Sequence, residues 1–261
     1  MTAVALTIAG SDPSGGAGIQ ADLKTFHQFG VYGEAVVTLI TVQNTRRVSR
    51  VACLSAGLVA EQIAAVVEDI PPNAAKTGAL GEPSIVEAVA QAAASFDFPL
   101  VVDPVMISKH GAPLIASEAR KTLLDQLVPR AMLVTPNLHE AAEFAGRPVE
   151  DLPAMKDAAR AIFDRTGASV LIKGGHLEGE AVDVLYSQNQ FEVFRAARIA
   201  TPHTHGTGCT YSAAITACLA SGNSLFVAVT RAKAFISEAI RTNPGLGAGS
   251  GPVNHHASTL Q

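Results

Sequence analysis

A glycine turn near the C-terminus combines groups that could hold a phosphate. The turn lies within HTHGTGCTYS, residues 203–212, and a helical run follows it. Free N–H groups and the helix dipole attract anions at a helix N-terminus, and Gly206 and Gly208 let the backbone approach a phosphate closely. Thr207 and Thr210 are predicted to add hydroxyl donors. The turn therefore predicts an anion site, although the chain has no Walker-type Gly-Lys-Ser/Thr motif.

Cys209, at the centre of this turn, has two interpretations. A lone cysteine is ordinarily a small buried core residue, and we expect that of Cys53 and Cys218. At a helix N-terminus, however, the thiolate is favoured, and the pKa of Cys209 is predicted to fall toward neutrality so that it could serve as a base. Three widely separated cysteines form neither a disulfide framework nor a metal site.

The positive charge for a phosphate must come from elsewhere in the chain. Lys173 ends the β-rich run SVLIK and precedes two glycines, which favours a phosphate-binding role over a snorkelling edge lysine. A competing motif is GAGIQA, residues 16–21, which matches a dinucleotide fingerprint. The second strand ends in Gln43 and Asn44 rather than in the acidic residue that would hold a ribose. A dinucleotide oxidoreductase is therefore a distant alternative.

The elements that must position these residues alternate along the chain. Apolar runs on both faces predict buried parallel strands, and the stretches between them have helical spacing. Ser84 and Glu87 are predicted to form a capping box that opens one helix. Two β-rich runs around QNQ predict a β-hairpin. Together they predict an α/β fold with a doubly wound sheet. The predicted buried strands are residues 4–9, 35–42, 99–103, 131–135 and 169–173.

Polar segments follow each predicted strand. Ligands bind beyond the carboxyl ends of the strands in an open parallel sheet, so these segments should meet in one crevice. Their carboxylates, amides, lysine and glycine turns suit a phosphorylated ligand and a metal ion. The segments are GSDPSGGAG, QNT, DPVM, PNLHE and GGH.

Composition sets the broad class of the protein. The 261 residues are 48% hydrophobic and 16% charged, which predicts a single domain over residues 1–261. A net charge of −4 and a pI near 6.0 argue against nucleic-acid and membrane-surface partners. No basic leader or apolar span opens the sequence, so we expect a cytoplasmic protein that acts on a small molecule.

Six motifs, in this order and spacing, resemble those of the ribokinase-like kinases and, within them, the bacterial hydroxymethylpyrimidine/phosphomethylpyrimidine kinases. The resemblance implies a three-layer α/β/α sandwich with a mainly parallel sheet, and a homodimer. The implied activity is ATP-dependent phosphorylation of 4-amino-5-hydroxymethyl-2-methylpyrimidine, and of its monophosphate to the diphosphate, in thiamine biosynthesis. The motifs are AGSDPSGGAGIQADLKTF, VQNT, DPVM, TPNLHEA, KGGH and HGTGCTYSAA.

The same resemblance implies roles at the phosphate end of the site. The 206–208 turn would form an anion hole that holds ATP phosphates together with Lys173, and Cys209 would take the proton of the hydroxymethyl group. Asp103 and Glu140 would hold Mg²⁺, partly through water and with Asn137 nearby. Asn137 and Glu140 have a competing structural interpretation, as the N-cap and first-turn acid of a helix over 138–145.

For the acceptor, Gln43 resembles the residue that hydrogen-bonds the aminopyrimidine, because a carboxamide offers both a donor and an acceptor. His176 and His205 could contact ligand, and residues 108–115 are a candidate lid. A pyridoxal kinase is the nearest alternative, but Ser108 stands where some relatives have a lid cysteine. A non-catalytic pyrimidine-binding regulator is a further alternative. Residues expected to line the acceptor pocket are Gly10, Ala17, Asp22 and Val105.

Overall fold

The computed structural model describes residues 2–107, 111, 113–175 and 179–259. Within them, nine strands form one sheet in the order β3-β2-β1-β4-β5-β6-β7-β8-β9. The strands are β1 Val4–Ser11, β2 Tyr32–Asn44, β3 Arg47–Cys53, β4 Ala74–Thr77, β5 Leu100–Val102, β6 Leu133–Val134, β7 Ser169–Gly174, β8 Ala181–Ser187 and β9 Gln190–Ala196. Neighbours from β2 through β7 pair in parallel, whereas β3, β8 and β9 add antiparallel edges.

Helices cover both faces of this sheet. They are α1 Gly18–Gln28, α2 Ala56–Asp69, α3 Pro83–Ala93, α4 Ser117–Thr122, α5 Leu138–Ala145, α6 Leu152–Thr166, α7 Thr207–Ala220 and α8 Leu225–Arg241. Successive residues of β1 point to opposite cores, since Leu6 and Ile8 join the cluster with α2 to α6, while Ala5 joins the cluster with α1, α7 and α8. The predicted three-layer α/β/α sandwich is confirmed.

The predicted hairpin is β8 and β9. Its two turn residues, Gln188 and Asn189, have φ angles of 51° and 62°. Positive φ at both positions belongs to the tight turn whose twist matches that of the flanking strands. The hairpin extends the sheet at its β7 edge and brings Asp183 beside the end of β7.

Some elements differ from the expectations. Strands β3 and β4 were not predicted, because β3 is a polar edge strand and β4 is four residues long with a lysine at its centre. The capping box at Ser84 and Glu87 is wrong. Helix α3 starts one residue earlier, with Pro83 in its first turn and Glu82 at the N-cap without a side-chain cap bond. Proline suits that position because its fixed φ is already helical.

The segment after α8 packs across the carboxyl ends of the strands. Gly249 N and Ser250 N donate to the hydroxyl and carbonyl oxygens of Thr45, and His205 N donates to Gly251 O. The C-terminal segment therefore joins the end of β2 to the turn before α7. In the described ranges, no helix has the length and apolar character needed to cross a membrane.

Candidate active site

A cavity of about 900 Å³ lies beyond the carboxyl ends of the parallel strands. It gathers residues from segments that are distant in sequence, as the strand-end argument predicts. Nearly all of the expected site residues border it. They are Gly10, Ala17, Gln43, Asp103, Val105, Asn137, Glu140, Lys173, Gly206, Thr207, Gly208 and Cys209.

Two expected site residues do not border the cavity. Asp22 is fully buried behind it, where it pairs with Lys76. Thr210 is also fully buried, and its hydroxyl lies 3.2 Å from His255 Nε2 rather than facing the cavity. Neither side chain borders the cavity as we expected, and their ligand contacts stay predictions. Each lies on the side of a helix that packs inward, which a single strand-end motif does not show.

The turn before α7 has the geometry of an anion site. Gly206 is the N-cap with φ of 79°, and a Cβ there would lie 1.7 Å from Gly16 O, so only glycine fits. Helix α7 begins at Thr207, so the N–H groups of Gly208 and Cys209 lie in its first turn, where they have no acceptor within the helix. The Thr207 hydroxyl donates to Thr204 O at 2.8 Å, so it is not the free donor that we expected. The backbone supplies the donors of this turn.

Lys173 brings positive charge to the same turn. Its Nζ lies 2.7 Å from Asp103 Oδ1, and a Cβ on Gly208 would lie 3.3 Å from Nζ. Burial alone would lower the pKa of Lys173, but the Asp103 charge raises it, so the ammonium stays charged. Asp103 also accepts hydrogen bonds from Thr135 and Ser212 at 3.0 and 3.2 Å. The cation is thus held against the amides of the turn.

Asn137 and Glu140 form a capping box at the start of α5. Glu140 N donates to Asn137 Oδ1 at 2.9 Å, and Asn137 N donates to Glu140 Oε2 at 2.8 Å. The competing structural interpretation of these residues is therefore confirmed, and it leaves their ligand roles as predictions. Burial raises the pKa of Glu140 to about 7, against the opposing effect of Lys173. In the described part of the chain, no three His, Cys, Asp or Glu residues are arranged to hold a metal ion.

The predicted fall in the Cys209 pKa is wrong. Burial raises the pKa of this thiol to about 11, and the charge of Lys76 only partly offsets that effect. The carboxylates of Asp22 and Asp103 raise it further, while a hydrogen bond with the Gly18 backbone lowers it. Sequence alone identified the helix N-terminus but not the two carboxylates beneath the thiol. The thiol is protonated at neutral pH.

Lys76 is a functional candidate that sequence reasoning missed. It is the third residue of β4, its side chain is fully buried, and it reaches the floor of the cavity. Its Nζ donates to both Asp22 oxygens at 2.8 Å, and Asp22 also accepts from Thr7 Oγ1 at 2.6 Å. The signal was a lone lysine in an apolar stretch followed by Thr-Gly, which is similar to the Lys173 motif.

Asp12 is a second candidate that we missed. Its carboxylate accepts hydrogen bonds from Ser14 N, Ser14 Oγ and Ala17 N at 2.7–3.0 Å, and it contacts His205 Nε2 at 2.7 Å. His205 also lies 3.2 Å from the Gln43 side chain. Asp12 therefore organises the loop after β1 and reaches the residue expected to bind the acceptor. A lone aspartate in a Gly/Ser-rich loop is a weak signal for this role.

The far end of the cavity is partly apolar. Ile199, Ile236 and Ile240 line it together with Lys233, whose Nζ lies 2.7 Å from Asp183 Oδ2. An apolar wall of this kind suits a planar base. His176 and residues 108–110 and 112 of the expected lid lie outside the described residues.

Comparison with known proteins matches this arrangement to one family. The phosphomethylpyrimidine kinase model matches residues 12–254. A hydroxymethylpyrimidine/phosphomethylpyrimidine kinase of Rhizobium meliloti is 48% identical, covering 98% of this chain and 97% of the relative. The bifunctional thiamine biosynthesis protein ThiED of Geobacter sulfurreducens is 46% identical over 96% of this chain, which spans only 51% of that protein.

Solved structures agree with the fold. The ADP complex of Bacillus subtilis pyridoxal kinase is 39% identical, with a TM-score of 0.91 and 98% of both chains covered. This similarity supports the ribokinase-like assignment of the sandwich. A kinase family match over most of the chain argues against the dinucleotide oxidoreductase. The chain belongs to the phosphomethylpyrimidine kinase family.

Proposed function

We propose that the protein transfers the γ-phosphoryl group of ATP to the hydroxymethyl group of 4-amino-5-hydroxymethyl-2-methylpyrimidine, and then phosphorylates the monophosphate to the diphosphate. The observation that carries this proposal is the placement of Lys173 against the Gly208 turn, in the cavity that also contains Gln43. A cation and free amides at one end suit phosphates, and a carboxamide further along suits an aminopyrimidine.

We assign most of the catalytic effect to electrostatic stabilisation of the transferring phosphoryl group and to the positioning of the groups around it. Phosphoryl transfer passes through a loose transition state in which oxygen charges need stabilisation more than covalent help. The amides of Gly208 and Cys209 and the ammonium of Lys173 are held in place before the reaction. Preorganised donors of this kind need little rearrangement during transfer. The apolar end near Ile236 and Ile240 is assigned to the nucleotide base.

Asp103 and Glu140 fit Mg²⁺ as water-mediated holders. Asp103 Oδ1 accepts from Lys173 and Thr135, and Asp103 Oδ2 accepts from Ser212. The Glu140 oxygens accept from backbone N–H groups of Asn137 and Met106. Magnesium keeps several waters and takes few protein ligands when phosphates are present, so occupied carboxylates are compatible with it. When bound, Mg²⁺ would neutralise charge on the transferring phosphate.

Cys209 is assigned as the base that accepts the hydroxymethyl proton. Because its pKa is about 11, only a small thiolate fraction exists at neutral pH. The neighbouring ammonium of Lys76 favours the thiolate over the thiol, and a thiolate with a high pKa is a strong base. The assignment therefore requires activity that rises with pH, a dependence that is tested below.

The acceptor end is assigned to Gln43, with Gly10, Ala17 and Val105 forming its walls. Gly10 packs closely on Leu39, since a Cβ at Gly10 would lie 2.5 Å from Leu39 Cδ1. A larger residue at position 10 would therefore narrow the pocket. An amide side chain in such a pocket suits a single aromatic ring with one hydrogen-bonding edge.

The test measures ADP release by wild-type protein with ATP and Mg²⁺. The acceptors are the aminopyrimidine alcohol, its monophosphate and pyridoxal, each supplied separately. We expect turnover with the first two and weaker turnover with pyridoxal. Absence of turnover with all three acceptors would overturn the kinase proposal and favour the non-catalytic regulator.

A pyridoxal kinase is the second candidate. The observation in its favour is the 0.91 TM-score to the Bacillus subtilis enzyme. Against it, position 108 is serine and the expected lid over 108–115 contains no cysteine, whereas some relatives use a lid cysteine for pyridoxal. A kcat/KM for pyridoxal that exceeds the value for the pyrimidine alcohol would decide for this candidate.

We also propose a homodimer. Ile40 and Val42 project from the same face of β2 and are 49% and 55% exposed, which leaves an apolar strip near the sheet edge. Pairing of two such strips would cover them. An Ile40→Asp variant should be monomeric by light scattering if the wild type is a dimer through this surface; an unchanged mass would contradict it. Single-domain organisation and cytoplasmic location stay predictions.

A further inference from the structure

The buried contact between Asp12 and His205 reaches the Gln43 side chain. His205 Nε2 lies 2.7 Å from Asp12 Oδ2 and 3.2 Å from the Gln43 side-chain nitrogen. Asp12 is 3% exposed and His205 is 4% exposed, and all three residues border the cavity. One ring nitrogen thus faces two partners, although it can hold only one proton.

The hydrogen bonds that Asp12 accepts determine to which group the His205 Nε2 proton is donated. Its Oδ1 accepts from Ser14 N and Ser14 Oγ, and its Oδ2 accepts from Ala17 N at 3.0 Å. A carboxyl that accepts three hydrogen bonds is stabilised as the carboxylate, which can only accept. His205 must therefore donate from Nε2 to Asp12, and this nitrogen has no lone pair left for Gln43.

The proton on His205 Nε2 also determines the orientation of the Gln43 carboxamide. Two N–H donors do not bond each other, whereas Gln43 Oε1 can accept from Nε2–H alongside Asp12. The oxygen and nitrogen of a carboxamide are nearly equal in shape, so hydrogen-bond partners decide its orientation. With Oε1 turned toward His205, the Gln43 NH₂ group faces the acceptor space.

We infer that Asp12 and His205 are positioning residues that hold the Gln43 carboxamide with its NH₂ group toward the acceptor, so that the site selects a ring nitrogen with a lone pair. This inference rests on the proposed function, since it concerns how the acceptor is recognised. An aminopyrimidine ring nitrogen offers such a lone pair. The 4-oxo analogue with N–H at the neighbouring ring position presents a donor there instead.

The pair also joins the two ends of the site. A Cβ on Gly16 would lie 2.5 Å from His205 Cδ2, and one on Gly206 would lie 1.7 Å from Gly16 O. The loop after β1 and the anion turn are therefore in direct contact on either side of the pair. This packing alone would give Asp12 and His205 a purely structural role. The test must therefore measure the preference between two acceptors and not activity alone.

The experiment compares kcat/KM for the aminopyrimidine alcohol and its 4-oxo analogue in wild type and Asp12→Asn. Asparagine keeps the side-chain shape, but its neutral amide no longer requires a proton on His205 Nε2, which releases the carboxamide to turn. We expect the preference for the amino substrate to fall about tenfold or more, because a mismatched buried hydrogen bond costs this much. The KM for ATP should stay within about twofold. Asp125→Asn, in a surface ion pair with Arg165, is the matched control.

Gln43→Glu provides a second test that leaves Asp12 and His205 in place. It removes the NH₂ donor and should lower the same preference by a similar factor. A uniform loss of activity with unchanged preference in either folded variant would overturn the inference, and if Asp12→Asn does not fold, the Gln43→Glu result decides. Turnover by wild type is measured in the same assay. If the kinase proposal fails, wild type turns over neither alcohol, whereas if only this inference fails, wild type is active and the variants keep its preference.

Discussion

Among the lysine–carboxylate pairs beside the cavity, two differ in their exposure to solvent. Lys173 and Asp103 are 2.7 Å apart, with side-chain exposures of 14% and 2%. Lys76 and Asp22 are 2.8 Å apart, and neither side chain is exposed. The first pair opens onto the anion turn, whereas the second is sealed between β4 and α1. Lys173 is thus placed to bind a ligand, whereas Lys76 is held by Asp22 at the cavity floor beside Cys209.

The remaining partners of each carboxylate explain the difference. Asp103 keeps hydrogen bonds from Thr135 and Ser212 when Lys173 turns to a phosphate. Among the described residues, Asp22 would keep only the hydroxyl of Thr7 if Lys76 moved away. Lys173 can therefore change partners at small cost, while separation of Lys76 from Asp22 would leave a buried charge.

The largest effect on activity is expected for Lys173→Met. Loss of the ammonium beside the anion turn should lower kcat about 10³-fold, as loss of a preorganised donor does at its upper range. Steady-state kinetics with saturating ATP measures it. Lys121→Met, on the exposed surface of α4, is the control and should retain wild-type kcat. A loss smaller than about tenfold for Lys173→Met would contradict the assigned role.

The sealed pair predicts a loss of stability instead. Asp22→Asn leaves the Lys76 ammonium without its counter-charge and should lower the free energy of unfolding by about 3 kcal/mol. Urea denaturation measures the change. The double variant Asp22→Asn/Lys76→Met should regain part of the loss, because no unpaired charge stays buried. If Asp22→Asn costs less than about 1 kcal/mol, the sealed pair is not the support we describe.

Cys209 lies between the two pairs, and its proposed role as the base predicts how kcat depends on pH. If its thiolate is the base, log kcat should rise with pH at close to unit slope between about pH 7 and 9, since the thiol titrates near pH 11. Cys209→Ala should lower kcat about 10²-fold and remove that slope. Cys218→Ala, further along α7 and away from the cavity, is the control. A pH-independent wild-type rate would remove the base while leaving the anion turn intact.

Glu34 shows what a buried carboxyl does without a cation. It is 8% exposed, and within the described residues its Oε2 has no hydrogen-bond partner. Burial, and then the charge of Asp69, raises the pKa of Glu34 to about 7. The native state therefore holds this proton more tightly than the unfolded state, so its stabilising contribution is present at low pH and is lost as pH rises to about 7.

Glu34→Gln should flatten that dependence. Between about pH 5 and 8, we expect the variant to lose about 1 kcal/mol less unfolding free energy than wild type, with allowance for solvent screening. Thermal unfolding across this range measures the difference. Glu61→Gln, exposed on α2, should keep the wild-type slope. Identical slopes for all three proteins would show that Glu34 is ionised at every pH tested.

Sequence patterns predicted the sandwich because alternation of apolar strands and amphipathic helices is a property of the whole chain. They also predicted cavity residues at a strand end and in the glycine turn before α7, such as Lys173 and Gly208. Residues that reach the site from within a strand or a helix were harder to predict from the sequence. Lys76 lies inside a four-residue strand too short for a pattern, and the inward direction of Asp22 and Thr210 depends on how α1 and α7 pack.

Electrostatics was the least predictable property. The position of Cys209 at a helix N-terminus favours a low pKa, whereas the structure raises it to about 11 by burial and by carboxylates from other segments. Asp22 is 187 positions from Cys209 and Asp103 is 106 positions away, so no local spacing reveals them. Local motifs therefore identify which groups are present, and the tertiary fold decides their charge.

The most direct test of the central claim is ³¹P NMR of wild-type protein with ATP, Mg²⁺ and the aminopyrimidine alcohol. We expect a phosphate monoester signal first, followed by diphosphate ester signals, with ADP formed at each step. Hydrolysis of ATP to inorganic phosphate without any ester signal would overturn the proposed kinase activity.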